Sequence, residues 1–127
     1  MTQLTARAAE QALIGFAMGF PGAWEDHPWD HTVIKAGKKI FVFFGGAAGA
    51  EDTLSVTVKL PISYEMALTL PYVQPAGYGM WKYGWAQLTQ TTGDAFDLET
   101  IQGWIAQSYR AVAPKKLAKL LDAQATP

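Results

Sequence analysis

The densest group of side chains that could bind a metal lies in residues 24–31, Trp-Glu-Asp-His-Pro-Trp-Asp-His. This segment holds both histidines and three carboxylates, and imidazole and carboxylate groups are common ligands of first-row metals. His27 and His31 are four positions apart, but Pro28 between them disfavours the helix that would align them. A polar, solvated loop is therefore the favoured interpretation, and we expect no bound metal or other cofactor.

Nucleophilic side chains do not occur in a recognisable catalytic motif. The sequence lacks a Gly-x-Ser-x-Gly elbow, and the glycines at 45–49 are not followed by the Lys-Ser/Thr pair of a phosphate-binding loop. Cysteine is absent, which excludes disulfides, thiolate metal sites and a cysteine nucleophile. The scattered acidic residues single out no pair for acid–base catalysis. The sequence thus favours a protein that is not an enzyme.

Two further segments favour binding. Lys35, Lys38 and Lys39 surround a turn at Ala36-Gly37, where they could contact phosphates or serve as ordinary turn lysines that discourage edge-to-edge strand pairing. Residues 77–85, Gly-Tyr-Gly-Met-Trp-Lys-Tyr-Gly-Trp, combine four aromatics with a lysine. They could form a stacking platform for bases or another planar ligand, or a loop that its aromatics fold over the core.

Composition limits the partners and the compartment. With 127 residues, the chain has a common size for one domain, and we expect residues 1–127 to form one. Ten Lys plus Arg against eleven Asp plus Glu give a net charge of −1, so any nucleic-acid contact must be a local basic patch. The N-terminus lacks the apolar core of a signal peptide, and no apolar run reaches the roughly 18 residues of a membrane span. We expect a cytoplasmic protein that does not enter membranes.

Hydrophobic periodicity predicts a helix followed mainly by strands. Residues 5–18 are expected to be helical, with Ala9, Leu13, Phe16 and Phe20 on one apolar face. Residues 53–60 alternate with period two, which is typical of a strand with one buried face. The other predicted strands cover residues 32–35, 39–44 and 85–91, with a short helix at 63–70 and a long loop at 71–84.

The C-terminal part of the chain predicts two more helices. Asp97 is the expected N-cap of the first, which runs to about residue 113. Residues 115–121 form the second. Helices at both ends of an antiparallel set of strands predict the α+β class, an antiparallel sheet with helices packed on one face. The expected core stripe of the longer helix consists of Leu98, Ile101, Ile105 and Val112.

Several short motifs, taken in order, resemble the MmcQ/YjbR family. The match runs from about residue 12 to residue 120. The resemblance implies a CyaY-like, frataxin-type sandwich and a "double wing" arrangement that binds DNA. Likeness to frataxins at the level of the fold does not imply iron handling. The motifs are Pro21-Gly22, Glu25, Pro28-Trp29, Ile34 to Phe41, Leu54 to Lys59, Gly77 to Lys82, Gly84-Trp85, Ser108-Tyr109 and Pro114 to Lys116.

The resemblance assigns roles to particular residues. One wing would be the hairpin with Lys35, Lys38 and Lys39, and the other would lie near Trp81 and Lys82. Where the family often has Tyr-His-Met-Asn-Lys-x-His-Trp, this chain has Tyr-Gly-Met-Trp-Lys-Tyr-Gly-Trp, so that the lysine alone keeps its charge. The expected partner is DNA, bound weakly and in a salt-sensitive manner. The alternative is a protein–protein or small-ligand binding module built on the loop 77–85.

Overall fold

A computed structural model describes residues 5–28, 31–45, 53–77, 79–92 and 95–125, with side chains up to residue 121. Trp29, Asp30 and Tyr78, which belong to the segments singled out above, lie outside the described residues. No helix within the described ranges is both long and apolar enough to cross a membrane. The elements are α1 (Ala6–Met18), β1 (Ala23–Asp26), β2 (Thr32–Ala36), β3 (Lys39–Phe44), β4 (Thr53–Lys59), α2 (Tyr64–Ala67), β5 (Val73–Pro75), a 3-10 helix (Met80–Tyr83), β6 (Trp85–Thr91), α3 (Leu98–Val112) and α4 (Lys115–Ala125).

The strands form one six-stranded antiparallel sheet with the order β1-β2-β3-β4-β6-β5. The period-two alternation of β4 buries Leu54, Val56 and Val58, and Val56 pairs with Leu88 of β6. Helices α1 and α3 contact this side of the sheet; we call the opposite side, which neither of these two helices covers, the open face. The predicted class, an antiparallel sheet with helices on one face, is confirmed.

Helix termini agree with the capping rules. Thr5 accepts a hydrogen bond from the Ala8 amide at the start of α1, and Asp97 accepts one from Thr100 at the start of α3. Such caps satisfy amides that have no partner inside the helix. The predicted face of α1 needs one correction. Phe16 is 36% exposed, because the stripe that meets the sheet is made of Ala6, Ala9, Leu13 and Ala17.

Two edge strands were not predicted from the sequence. Ala23–Asp26, inside the segment interpreted as a polar loop, pairs with β2 as β1. Val73–Pro75, inside the predicted loop 71–84, pairs with β6 as β5. Both strands are short, and each pairs with only one other strand. Backbone hydrogen bonds to that strand hold them, so their sequences lack the apolar alternation by which strands are predicted. Pro75 is tolerated there because an edge strand has one side without ladder hydrogen bonds.

The predicted core stripe of α3 also needs revision. Ile101 and Ile105 are buried, but Leu98 and Val112 are only half-buried. Ser108 and Tyr109 of α3 are buried as well. Their hydroxyl groups form hydrogen bonds with backbone atoms outside the helix. The Ser108 hydroxyl donates to the Phe41 carbonyl and accepts from the Lys59 amide, which ties α3 to the ends of β3 and β4.

Candidate nucleic-acid interface

The turn between β2 and β3 is braced on the open face by Trp24. The indole Nε1 of Trp24 donates to the Gly37 carbonyl oxygen at 2.7 Å. Gly37 has a φ of 64°, a left-handed conformation that glycine adopts without the strain other residues would feel. Lys38 and Lys39 on this turn are exposed. The turn therefore holds two cations on a fixed backbone.

Lys35 differs from the turn lysines because it is already paired. Its Nζ lies 2.9 Å from Asp26 Oδ2 and 4.9 Å from the centroid of the Trp24 ring. Hydrogen bonds from Lys35 and from the His27 amide hold the pKa of Asp26 below its usual range. The carboxylate consequently stays ionised at neutral pH and neutralises Lys35 locally.

Helix α4 packs against the same turn. A Cβ at Gly37 would lie 3.5 Å from Pro114 Cγ. A Cβ at Gly22 would lie 2.6 Å from Leu117 Cδ1, so a larger residue there would have to displace the Leu117 side chain of this helix. These contacts bring Lys115 and Lys116, both exposed, to the end of the sheet that carries Lys38 and Lys39.

Strand register places Lys82 at the same end. Ala36 pairs with Lys39 at the start of β3, and Lys59 at the end of β4 pairs with Trp85 at the start of β6. Since β3 and β4 are antiparallel, the β2–β3 turn and the 3-10 helix before β6 emerge from one end of the sheet. We call this end, defined by Lys38, Lys39, Lys82, Lys115 and Lys116, the basic end.

Trp81 lies beside Lys82 in the 3-10 helix and is half exposed. Its side chain is 49% exposed, and Lys82 Nζ lies 5.9 Å from the centroid of its ring. Glycines with φ of 74° and 85°, Gly79 and Gly84, flank the helix. The Gly84 carbonyl accepts from the Leu60 amide at 2.8 Å, which fixes the loop to the end of β4. A planar ring and a cation are thus presented together.

The described acidic side chains lie at several places around the sheet. Asp97 and Glu99 begin α3, which starts beyond the far end of β6. Glu25 contacts His27, with 2.6 Å between Oε2 and Nε2. Glu65 in α2 follows the end of β4 by six residues, and Asp26 is paired with Lys35. Among the described residues, no acid forms a salt bridge with a lysine of the basic end.

The segment that suggested a metal site is divided between two places. His27 contacts Glu25 on β1, whereas His31 lies against Gly45, where a Cβ would meet its Nδ1 at 3.0 Å. Among the described residues no three His, Cys, Asp or Glu side chains come together in a way that could hold a metal ion. The two histidines therefore have different neighbours: His27 lies beside the edge strand β1, and His31 lies between the start of β2 and the end of β3.

The open face also carries a groove with a volume of about 650 Å³. Its floor is formed by side chains from the central strands, and the residues Ala76, Gly77 and Met80 form one wall. The lining is mainly apolar, and its polar side chains among the described residues are His31, Thr57 and Gln87. Ile40 and Met80, which line the groove, are close in sequence to Lys39 and Lys82, so the groove adjoins the basic end.

Comparison with known proteins identifies the family. The family model named YjbR matches residues 18–111, which is more than half of the chain. The chain belongs to the YjbR family. A crystal structure of the Deinococcus radiodurans protein DR2400, which has the DUF419 domain, is similar in fold: the TM-score is 0.62 at 17% identity, over 84% of this chain and 79% of that one. No curated protein matches the sequence. YjbR-type domains are not known as enzymes.

In this YjbR protein, the two lysine-bearing segments proposed as wings lie at one end of the sheet. Lys38, Lys39, Lys82 and Trp81 project from it, while Lys35 is held on the open face by Asp26. Sequence reasoning did not place Lys115 and Lys116 in the site. The Pro-Lys-Lys motif was visible in the sequence, but its proximity to Gly37 depends on a contact between residues far apart in the chain.

Proposed function

We propose that this YjbR protein binds nucleic acid weakly through its basic end. The observation that supports the proposal is the gathering of Lys38, Lys39, Lys82, Lys115 and Lys116 at one end of the sheet. None of these lysines forms a salt bridge with a carboxylate of the described residues. Binding of lysine to phosphate releases counterions and dominates non-specific affinity for nucleic acid. Lysine–phosphate contacts read no base edges, so little sequence preference is expected.

Salt dependence is the first test. With one phosphate contact for each of these lysines, the slope of log affinity against log salt on duplex DNA is expected to be about −4.5, at roughly −0.9 per contact. Fluorescence anisotropy with a labelled random duplex measures this slope. Lys38→Gln and Lys39→Gln together are expected to reduce its magnitude by about 1.8. The proposal fails if the native protein does not bind even at low salt.

Arg7→Gln is the control for net charge. Arg7 lies in the first turn of α1, which is held at the opposite end of the sheet by the hydrogen bond from the Ala6 amide to Thr92 Oγ1. Its loss changes the net charge by one, as does Lys39→Gln alone. An equal loss of slope in both variants would mean that overall charge, not the basic end, attracts the DNA.

Releasing Lys35 from its partner is expected to strengthen binding. Asp26→Asn keeps an oxygen that can accept the hydrogen bond from Lys35 but removes the charge that neutralises it. The slope is expected to steepen by up to about 0.9, since one more cation becomes available to a phosphate. Asp97→Asn is the matched control, because it removes one acidic charge at the start of α3 and asparagine is an equally good N-cap. Equal gains in the two variants would contradict a local role for Lys35.

A second candidate function is protein binding through exposed apolar side chains near the same end. Tyr83 is 71% exposed, Ile62 86% and Met66 75%. The hydrogen bond between Leu60 and Gly84 brings the segments that carry them together. Clustered exposed apolar residues mark interaction sites more often than scattered ones. If DNA binding is absent at low salt, a protein partner for this surface becomes the leading hypothesis.

A further inference from the structure

We infer that the groove on the open face receives an unpaired base of single-stranded nucleic acid whose backbone lies on the basic end. This inference rests on the proposed function, and it specifies single strands as the preferred ligand. It is drawn from three features of the groove: its size and lining, its polar groups and its position next to the lysines of the basic end.

The size and the mainly apolar lining of the groove suit an uncharged aromatic group such as a base. Its volume of about 650 Å³ lies within the range of roughly 300–1,000 Å³ typical of small-molecule sites. Val33, Ile40 and Phe43 line the groove together with Met80 from the opposite wall. No Lys, Arg, Asp or Glu of the described residues lines it, and His31 is the one described lining residue whose side chain can carry a charge. Burial of a phosphate or carboxylate there would be costly, whereas a base face would be stabilised by these contacts.

The polar groups in the groove can pair with a base edge. Gln87 Nε2 donates to Ser55 Oγ at 3.1 Å, and Gln87 Oε1 accepts from Gln74 Nε2 at 3.1 Å. An amide has two N–H donors and two acceptor lone pairs, so one of each is left over within the described part of the chain. A glutamine amide with one donor and one acceptor matches the pattern presented by adenine. Thr57 adds a hydroxyl to the same floor.

The position of the groove next to the basic end favours single-stranded over double-stranded nucleic acid as the ligand. Ile40 directly follows Lys39, and Met80 precedes Lys82 by two residues. A strand held by phosphates on these lysines therefore passes the mouth of the groove. In a duplex the bases are paired and stacked inward, so the groove would stay empty. Binding of single strands through stacking and a positive surface is a general mode of recognition.

Gly77→Leu tests the inference by filling the groove. Gly77 forms part of one wall, its φ is outside the left-handed region, and a Cβ there would meet nothing within 4 Å. A leucine side chain there is therefore expected to be accommodated without unfolding the protein and, because Gly77 lines the groove, to occupy part of it. The matched control is Gly103→Leu on the exposed side of α3, where a Cβ also has open space. Thermal midpoints of both variants verify folding.

The ligands are labelled oligodeoxyadenylate, an abasic oligomer of the same length and a duplex of the same length, each measured by anisotropy at low salt. The native protein is expected to bind the oligodeoxyadenylate roughly 5- to 150-fold more tightly than the abasic strand, which corresponds to the range for stacking of one base on a protein. Gly77→Leu is expected to remove this advantage and to leave abasic and duplex affinities unchanged. Gly103→Leu is expected to bind all three like the native protein.

The outcomes separate the inference from the proposed function. Equal native affinity for the adenylate and abasic strands would overturn the inference, and so would a Gly77→Leu variant that retains the adenylate preference. In either case, the proposed function would still hold if the Lys38→Gln and Lys39→Gln changes weaken binding. Absence of binding to all three ligands would overturn both. Met80→Ala, which opens the wall instead of filling the groove, is expected to weaken the adenylate complex alone and supplies a second measurement.

Discussion

Replacing Val56 with Asp is expected to unfold this protein. Val56 is 1% exposed at the centre of β4, where it pairs with Phe44 on one neighbouring strand and Leu88 on the other. An ionised carboxylate buried there without a partner costs several kcal/mol, or it must take up a proton far above its usual pKa. A typical domain is stable by only about 5–15 kcal/mol, so one such change removes most of the margin.

The matched control for this prediction is the next residue. Thr57 points to the open face and lines the groove, so Thr57→Asp places the same carboxylate near solvent and is expected to leave the protein folded. Circular dichroism during thermal unfolding compares the two variants with the native protein. A Val56→Asp variant with an unchanged midpoint would mean that the buried and open faces of β4 have been assigned the wrong way round. Thr57→Asp is also expected to weaken binding of single strands.

The parts of the fold that the sequence predicted best have strong local signals. Residues 85–91 were predicted as a strand from their alternation, and β6 has the same bounds. Residues 39–44 likewise form β3 as predicted. Asp97 was predicted as a cap because its side chain can satisfy a free amide, and it accepts from Thr100. In each case the information lies within a few residues, and the tertiary structure agrees with the local preference.

The edge strands were missed because their stability depends on partners elsewhere. In β1, Trp24 and Asp26 face Lys35 of β2 across the open face. Their sequence therefore reads as polar even though the backbone is fully paired with β2. In β5, Pro75 argues locally against a strand. Pairing with β6 overrides this preference, and three residues of β5 are enough to pair with β6 at the edge of the sheet.

The candidate site was only partly predictable for a similar reason. The turn lysines and Lys82 are visible as exposed cations in a sequence, but whether they share a surface depends on the register of three strand pairs. Lys35 appeared equivalent to its neighbours in sequence, yet its pairing with Asp26 sets it apart. The near-zero net charge argued against nucleic-acid binding, but net charge contains no information on where the charges lie.

Replacing Tyr109 with Ala is expected to cost about 3–5 kcal/mol of the free energy of unfolding, the range for removal of a large buried aromatic ring. Tyr109 is fully buried in α3. Its ring stacks on Phe20 at 4.7 Å between centroids and meets the edge of Phe41 at 5.1 Å. Its hydroxyl donates to the Pro21 carbonyl at 2.7 Å. This residue therefore joins α3 to the connection between α1 and β1, next to the turn on which α4 rests.

Tyr109→Phe separates the ring from the hydroxyl. It keeps the aromatic contacts and is expected to cost only about 1–3 kcal/mol, because the buried Pro21 carbonyl loses its donor. Urea denaturation at neutral pH measures both variants. An alanine variant no less stable than the phenylalanine variant would mean that the stacked rings contribute little. If the phenylalanine variant folds but no longer binds nucleic acid, the hydrogen bond from Tyr109 to Pro21 also helps to position Lys115 and Lys116.

The hydroxyl also predicts a dependence on pH. Burial raises the pKa of Tyr109 above the value of about 10 that is usual for tyrosine, because the phenolate would be poorly solvated. Since the folded state holds the proton more tightly than the unfolded state, this contribution to stability is fully present below pH 10 and is lost as pH rises through the folded pKa. Tyr109→Phe has no proton to lose at this position. The stability advantage of the native protein over Tyr109→Phe is therefore expected to shrink as pH rises above about 10. All other side chains are the same in both proteins, so their effects cancel in this comparison. A constant difference up to the alkaline limit of folding would contradict the burial of this hydroxyl.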